Sequence, residues 1–334
     1  MTDSTPQVRT VLGDVAKSEC GVTFAHEHLV LDSPFIGAAF PHILLDDPAI
    51  AIREVADCRI AGVRTMVDAM PCVAGRHVER LAQISSSTNV HIVASTGLHH
   101  ERYYGPQHWT SRVDANELAQ LFVDDVTIGI DAFDYTGPFV RRTSHRAGII
   151  KVATGGGALN ERDHLLFRAA SIAHSVTGAP VLTHCEGGLG AFEQVEALKS
   201  MGVPPNAILL SHVDKVEELN YHIELASTGA WLVFDQSLRQ HDTALPFTAR
   251  LILQLADAGF VGQILLGTDG ARRDLWHAYS GEPGLSWLAS TFPKILEREG
   301  LPLKQIASIF VGNPADALAL RQREKIPRAT SRQK

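Results

Sequence analysis

The chain has 334 residues, 45% hydrophobic and 20% charged, with a formal net charge of −7. This is ordinary globular composition, long enough for one large domain or two average ones, and too acidic for a typical nucleic-acid binder. Four cysteines without a CxxC pair exclude a disulfide framework, and no run approaches the roughly 18 apolar residues of a membrane span.

The first residues, MTDSTPQ, carry no signal-peptide pattern, so a cytoplasmic protein with reduced thiols and no membrane partner is expected. Residues 7–21 read as a hairpin covering one end of the fold. A strand over 22–30 follows, then a helix over 48–61 opened by Asp46-Asp47-Pro48. Strand 64–69 precedes helix 75–87, and strand 90–95 precedes helix 114–128, with Asp114 as its cap. Next come strand 148–153 and helix 160–177, strand 180–184 and helix 188–200, strand 207–212 and helix 214–228. Strand 230–235, helix 242–258, strand 263–269 and helix 284–298 complete the series. Most strands are aliphatic on both faces, as strands buried on both sides must be. Eight strands alternating with eight helices predict an α/β protein, a (β/α)8 TIM barrel with a short N-terminal β-hairpin. One domain over 1–320 is expected, followed by a basic, flexible tail at 321–334.

In such a barrel the active site lies at the C-terminal ends of the strands. There the sequence places His26-Glu27-His28 on the first, Lys151 on the fourth, His184 on the fifth, His212 on the sixth and Asp269 on the eighth. His26 and His28, two apart on a strand, should share the lumen face, with Glu27 pointing away. A lone buried His is usually a satisfied core residue. Four of them plus an Asp, at one end of different strands, converge on one point and favour metal over packing. Imidazole and carboxylate without thiolate suit Zn, with Mn, Co or Fe also compatible. Five such ligands exceed what one catalytic zinc needs, which argues for two divalent ions. Lys151 admits two readings: a side chain whose head snorkels out, or a neutral amine that has reacted with carbon dioxide to give a bridging carbamate.

These residues, with the segments TFAHEHLVLD, GIIKVAT, VLTHCEGG, ILLSHVD and LLGTDGARRD, resemble the phosphotriesterase-related branch of the amidohydrolase superfamily. The resemblance runs from about Val11 to Pro314. It implies that His26, His28 and Asp269 hold a buried ion and that His184 and His212 hold a more exposed one. Carboxylated Lys151 and a hydroxide would bridge them. The hydroxide would attack an ester carbonyl, Asp269 would act catalytically by accepting its proton, and homodimers would be common.

The expected substrate is a small molecule, and a lactone is the first choice, phosphorylated or otherwise anionic. Gln236 follows Asp235 where organophosphate hydrolases of this branch carry a His, which weakens the phosphotriester alternative. An N-acyl amide is a further alternative, and a non-catalytic metal-containing binding protein belongs to a different class. Lys215, Arg239, Arg272 and Arg273 could grip an anionic group at the mouth; equally, they could pair with Asp214, Asp242 or Asp274. His99 lines the pocket or sits exposed on its loop. Tyr103, Tyr104 and Trp109 are candidates for the same wall, Asp32 and Trp276 weaker ones. Cys185 should face a helix.

Overall fold

A computed structural model describes residues 6–105 and 107–321, so the expected tail beyond 321 lies outside the described residues. The chain opens with an antiparallel hairpin, β1 (Gln7–Thr10) and β2 (Gly13–Ala16). Eight strands follow: β3 (Val22–Glu27), β4 (Val63–Asp68), β5 (His91–Gly97), β6 (Ala147–Thr154), β7 (Val181–Cys185), β8 (Ile208–Ser211), β9 (Trp231–Phe234) and β10 (Ile264–Leu266). They pair in parallel, each with its successor. The barrel closes just past β10, where the amides of Thr268 and Asp269 donate to the His26 carbonyl at 3.2 and 3.1 Å. Gly267 permits that approach, since a Cβ there would stand 2.7 Å from the same carbonyl oxygen.

One apolar side chain from each strand fills the barrel interior: Ala25, Val67, Val93, Ile149, Leu182, Leu209, Val233 and Leu265. Val8 of the hairpin joins this layer, and the Val11 amide donates to Ile92 near the start of β5 at 2.8 Å. The hairpin therefore plugs the N-terminal end of the barrel, opposite the catalytic end, as its position predicts.

Helices cover the outside. Pro48–Ile60 starts at Asp47, whose side chain accepts from Ala49 and Ile50, and Ala115–Thr127 starts at Asp114 in a capping box with Glu117. Helices Val78–Thr88, Glu161–Thr177, Ala191–Ser200, Leu219–Ser227 and Phe247–Asp257 match the expected series within a few residues, mostly at their starts. The predicted helix 284–298 is instead two pieces, Trp287–Ser290 and Phe292–Arg298. Short helices at Pro34–Ala39 and from Leu303 to Leu318 were not expected from the sequence. No helix among the described residues is long and apolar enough to cross a membrane.

Residues 129–146 lie between the fourth helix and β6, where no element is expected. They cover a buried ionic cluster. Arg76 donates to Asp134 Oδ1 through Nε at 2.9 Å and Nη2 at 2.5 Å, and through Nη1 to Asp125 Oδ2 at 3.1 Å and the Ser95 carbonyl at 2.6 Å. Its side chain is fully buried. Removing one partner of such a cluster leaves buried carboxylates uncompensated. Arg76→Ala should therefore destabilise by about 3–5 kcal/mol, measured by urea unfolding, with a loss below ~1 kcal/mol contradicting this.

Candidate active site

His26, His28, Lys151, His184, His212 and Asp269 meet at the C-terminal end of the barrel, and three of them adopt irregular backbone geometry there. Alternation from Ala25, which faces the interior, would turn His26 outward. A register shift in β3 between Phe24 and Glu27 sets two residues against Val67 and swings His26 back toward the lumen. His212, one past Ser211, takes a left-handed backbone (φ 66°), and Asp269 does the same (φ 45°). Lys151 and His184 follow plain alternation from Ile149 and Leu182. Lys151 packs beside Gly97, whose φ is 101° and where a Cβ would collide with the Lys151 carbonyl oxygen at 1.9 Å. Only glycine fits there.

The imidazoles form one continuous cluster, with ring centroids 5.3 Å apart for His26 and His28, 4.9 Å for His26 and His212 and 4.5 Å for His184 and His212. His28 Nε2 lies 3.3 Å and His26 Nε2 3.9 Å from Asp269 Oδ1. His212 Nε2 lies 2.9 Å from His184 Nδ1. Carboxylates stand behind the outward nitrogens: Asp235 Oδ1 is bonded to His212 Nδ1 at 2.9 Å and Glu186 Oε2 to His184 Nε2 at 3.0 Å, while Asp235 Oδ2 lies 3.0 Å from His26 Nδ1 without hydrogen-bond geometry. Ligand atoms of His26, His212 and Asp269 lie within 4.8 Å of one another.

Burial controls the protonation of these groups. It pushes His26 far below the usual imidazole range and His184 down to about 3, with the neighbouring cationic groups adding to the effect. Both are thus neutral and carry free lone pairs. Burial alone would raise Asp269, but the neighbouring His212 imidazole and Arg239 guanidinium outweigh it and hold the carboxyl well below the ordinary range. Lys151 is fully buried, and burial pulls its amine down to about 8. Its Nζ has no hydrogen-bond partner.

Above this floor opens a cavity of about 230 Å³. His28, His184, His212 and Asp269 form its base; Leu31, Ile43 and Met70 give apolar wall. His99 is buried in the wall, its ring 4.3 Å from Tyr103 and 5.2 Å from His184. Tyr103 lines the cavity too. Tyr104 stands behind, accepting from the His99 amide through its hydroxyl at 2.6 Å. Trp109, Asp32 and Trp276 are not among the lining residues. Cys185 faces Gln194 on the following helix, 3.5 Å from its Oε1.

The four bases expected at the mouth separate. Lys215 and Arg272 line the cavity, and Arg272 also pairs with Asp274 through Nε at 3.0 Å. Arg239 lines it as well, but its guanidinium is engaged with Asp269 Oδ2 at 3.1 Å and with the carbonyls of Asp269 and Thr268. Arg273 is a correction. It turns away from the cavity to the Leu44 carbonyl and Asp46 Oδ1, at 2.5 and 2.9 Å, with its guanidinium over the Tyr279 ring. Those partners lie on a loop some 230 residues earlier, and no sequence pattern announces that pairing. Asp214 pairs with none of the four; it accepts from the amides of Asp235 and Gln236 at 3.2 and 3.0 Å.

Sequence reading missed Glu186, Arg102 and the role of Asp235. Arg102 lines the cavity and donates to Glu186 Oε2 at 3.2 Å. Asp235 was legible in principle, as it follows Val233 by two and so faces the interior.

The phosphotriesterase family model matches residues 6–318. The chain belongs to the phosphotriesterase family. Enzymes of this family are generally binuclear metal-dependent, and this chain is a phosphotriesterase-like hydrolase. It is 32% identical over 321 residues to a phospho-furanose lactonase of Mycoplasmopsis agalactiae, covering 93% of this chain and 91% of that protein. An aryldialkylphosphatase of Saccharolobus solfataricus is 27% identical, with 90% and 95% covered. A solved amidohydrolase from Mycoplasma synoviae superposes with a TM-score of 0.90 at 27% identity, covering 96% of this chain and 94% of that one.

Proposed function

We propose that this chain is a binuclear metal-dependent lactonase acting on a lactone that carries an anionic group. The observation that carries the metal reading is Lys151. A fully buried amine without a hydrogen-bond partner is expensive to leave so. Beside neutral imidazoles and two carboxylates, it fits a lysine whose amine has added carbon dioxide, giving a carbamate anion and releasing a proton. His26, His28 and Asp269 would hold one ion and His184 and His212 the other, with the Lys151 carbamate shared. Zinc suits these donors best. When bound, such ions bring the pKa of water toward neutrality and polarise a carbonyl or phosphoryl oxygen.

The chain's own groups supply the rest. Asp269 accepts the proton of the attacking water, and Arg239 fixes its carboxylate. Leu31, Ile43 and Met70 hold the ring of the substrate and exclude bulk water. Lys215 and Arg272 meet the anionic end.

Lactones are favoured over phosphotriesters by two observations. Gln236, whose Nε2 donates to Asp235 Oδ1 at 2.6 Å, cannot take up a proton as an imidazole in that place could. The phospho-furanose lactonase relative supports the same choice. A panel of anionic and neutral lactones, aryl phosphotriesters and N-acyl amino acids tests it; useful turnover of the phosphotriester alone would reject it. Lys215→Ala and Arg272→Ala should each raise KM for the anionic lactone by roughly 10–100-fold, the effect of a charge-assisted hydrogen bond, and leave the neutral lactone little changed.

A further inference from the structure

Asp235 is buried at the end of β9 and was assigned nothing by the reading above. Its carboxylate stands between two imidazoles, His26 and His212, which the proposed function gives to different ions. Oδ1 accepts from His212 Nδ1 at 2.9 Å. Oδ2 accepts from the His212 backbone amide at 3.2 Å and lies 3.0 Å from His26 Nδ1, close enough for its charge to act on that ring although the angle falls short of a hydrogen bond. The second of these bonds holds the left-handed turn that brings His212 inward.

The carboxylate is itself held. Gln236 Nε2 donates to Oδ1 at 2.6 Å, and Asp214 accepts from the Asp235 and Gln236 amides and from Thr248 Oγ1 at 3.0 Å. Gln236 offers its neighbour a donor and no titrating group, so it keeps Asp235 in place as an acceptor.

We propose that Asp235 is the positioning residue for both ions at once, a single carboxylate that sets the ring tautomer of His26 and of His212. A neutral imidazole carries one proton, and whichever nitrogen faces a carboxylate keeps it. With both Nδ1 atoms turned to Asp235, both Nε2 atoms present lone pairs: His26 on the side of Asp269, His212 on the side of His184. The negative charge behind each ring also strengthens it as a ligand. The inference rests on the metal-ion reading of the site, and it adds that the two ion positions share one support.

An amide can replace this carboxylate for only one of the two rings, because its oxygen accepts and its nitrogen donates. The ring that meets the nitrogen must reverse its tautomer and turn a proton toward its ion. The test is titration of chelator-stripped protein with Co(II), followed by calorimetry and by the visible absorption of the bound ion. Thermal melts of each apo-protein check folding.

Wild-type protein should take up two equivalents. Asp235→Asn, the same size as the native residue, should retain one equivalent at wild-type affinity and weaken the other by roughly 10–100-fold. Asp235→Ala should weaken both. Two equivalents bound at wild-type affinity by both folded variants would overturn the proposal while leaving the metal reading intact. Wild-type protein that takes up no ion would overturn both.

Discussion

Asp269→Asn should lower kcat on the preferred lactone by roughly 10²–10⁴-fold, the range for loss of a positioned proton acceptor. The carboxylate is prepared for that work by its neighbours. Arg239 Nη2 touches Oδ2 at 3.1 Å, and His28 Nε2 approaches Oδ1 at 3.3 Å. Their combined pull, with that of His212, outweighs burial and keeps the group ionised. An amide of the same shape has neither the charge nor the basicity. Arg239→Met should then fall between Asp269→Asn and wild type, since it removes the clamp and leaves the acceptor. Asp269 is also a proposed ion ligand, so steady-state kinetics must be paired with elemental analysis of each variant. A deficit in kcat that persists at full ion content isolates the proton-transfer role. Asp269→Asn turning over within a few-fold of wild type would remove it.

The barrel was readable because its strands are buried on both faces and its helices carry start and stop residues. Asp47 and Asp114 cap where their positions promise, and Gly178 ends the helix Glu161–Thr177 with a φ of 75°. What could not be read is the geometry at strand ends. Strict alternation from Ala25 and Leu209 would have sent His26 and His212 into the helix layer. A register shift in one case and a left-handed residue in the other overrule the period, and neither is written in the composition of the strand. The motif spacing pointed to residues that do meet at one end of the barrel, although the assumed reason, two positions on one pleat face, holds for regular strands only.

The cavity wall was legible in part for a related reason. Lys215 and Arg272 follow strand ends closely, so position alone brings them to the mouth. Arg273 is the next residue along, yet it faces Asp46 and Leu44 on the loop after β3. Adjacent side chains diverge, and only the far loop decides which of them meets the cavity. Glu186 and Arg102 show the converse. Each looks like an ordinary surface charge in sequence, and their pairing beside His184 exists only once the loops after β5 and β7 meet.

Lys151→Met should strip the protein of most of its bound metal and lower activity by roughly 10²-fold or more, beyond the 10–100-fold typical of residues that merely support a ligand. Methionine fills similar volume, so the barrel should keep its fold and its melting transition. The native amine, drawn down by burial to about 8, is neutral far more often near neutral pH than an ordinary lysine. Carbon dioxide adds to the neutral amine alone. Reconstitution of stripped wild-type protein should therefore be faster above about pH 8 than below about pH 7, and bicarbonate should accelerate it further. Lys151→Met should show no response to bicarbonate at either pH. Full ion content and near-native turnover in that variant would mean that the buried amine is packing, leaving its missing hydrogen-bond partner without a chemical reason.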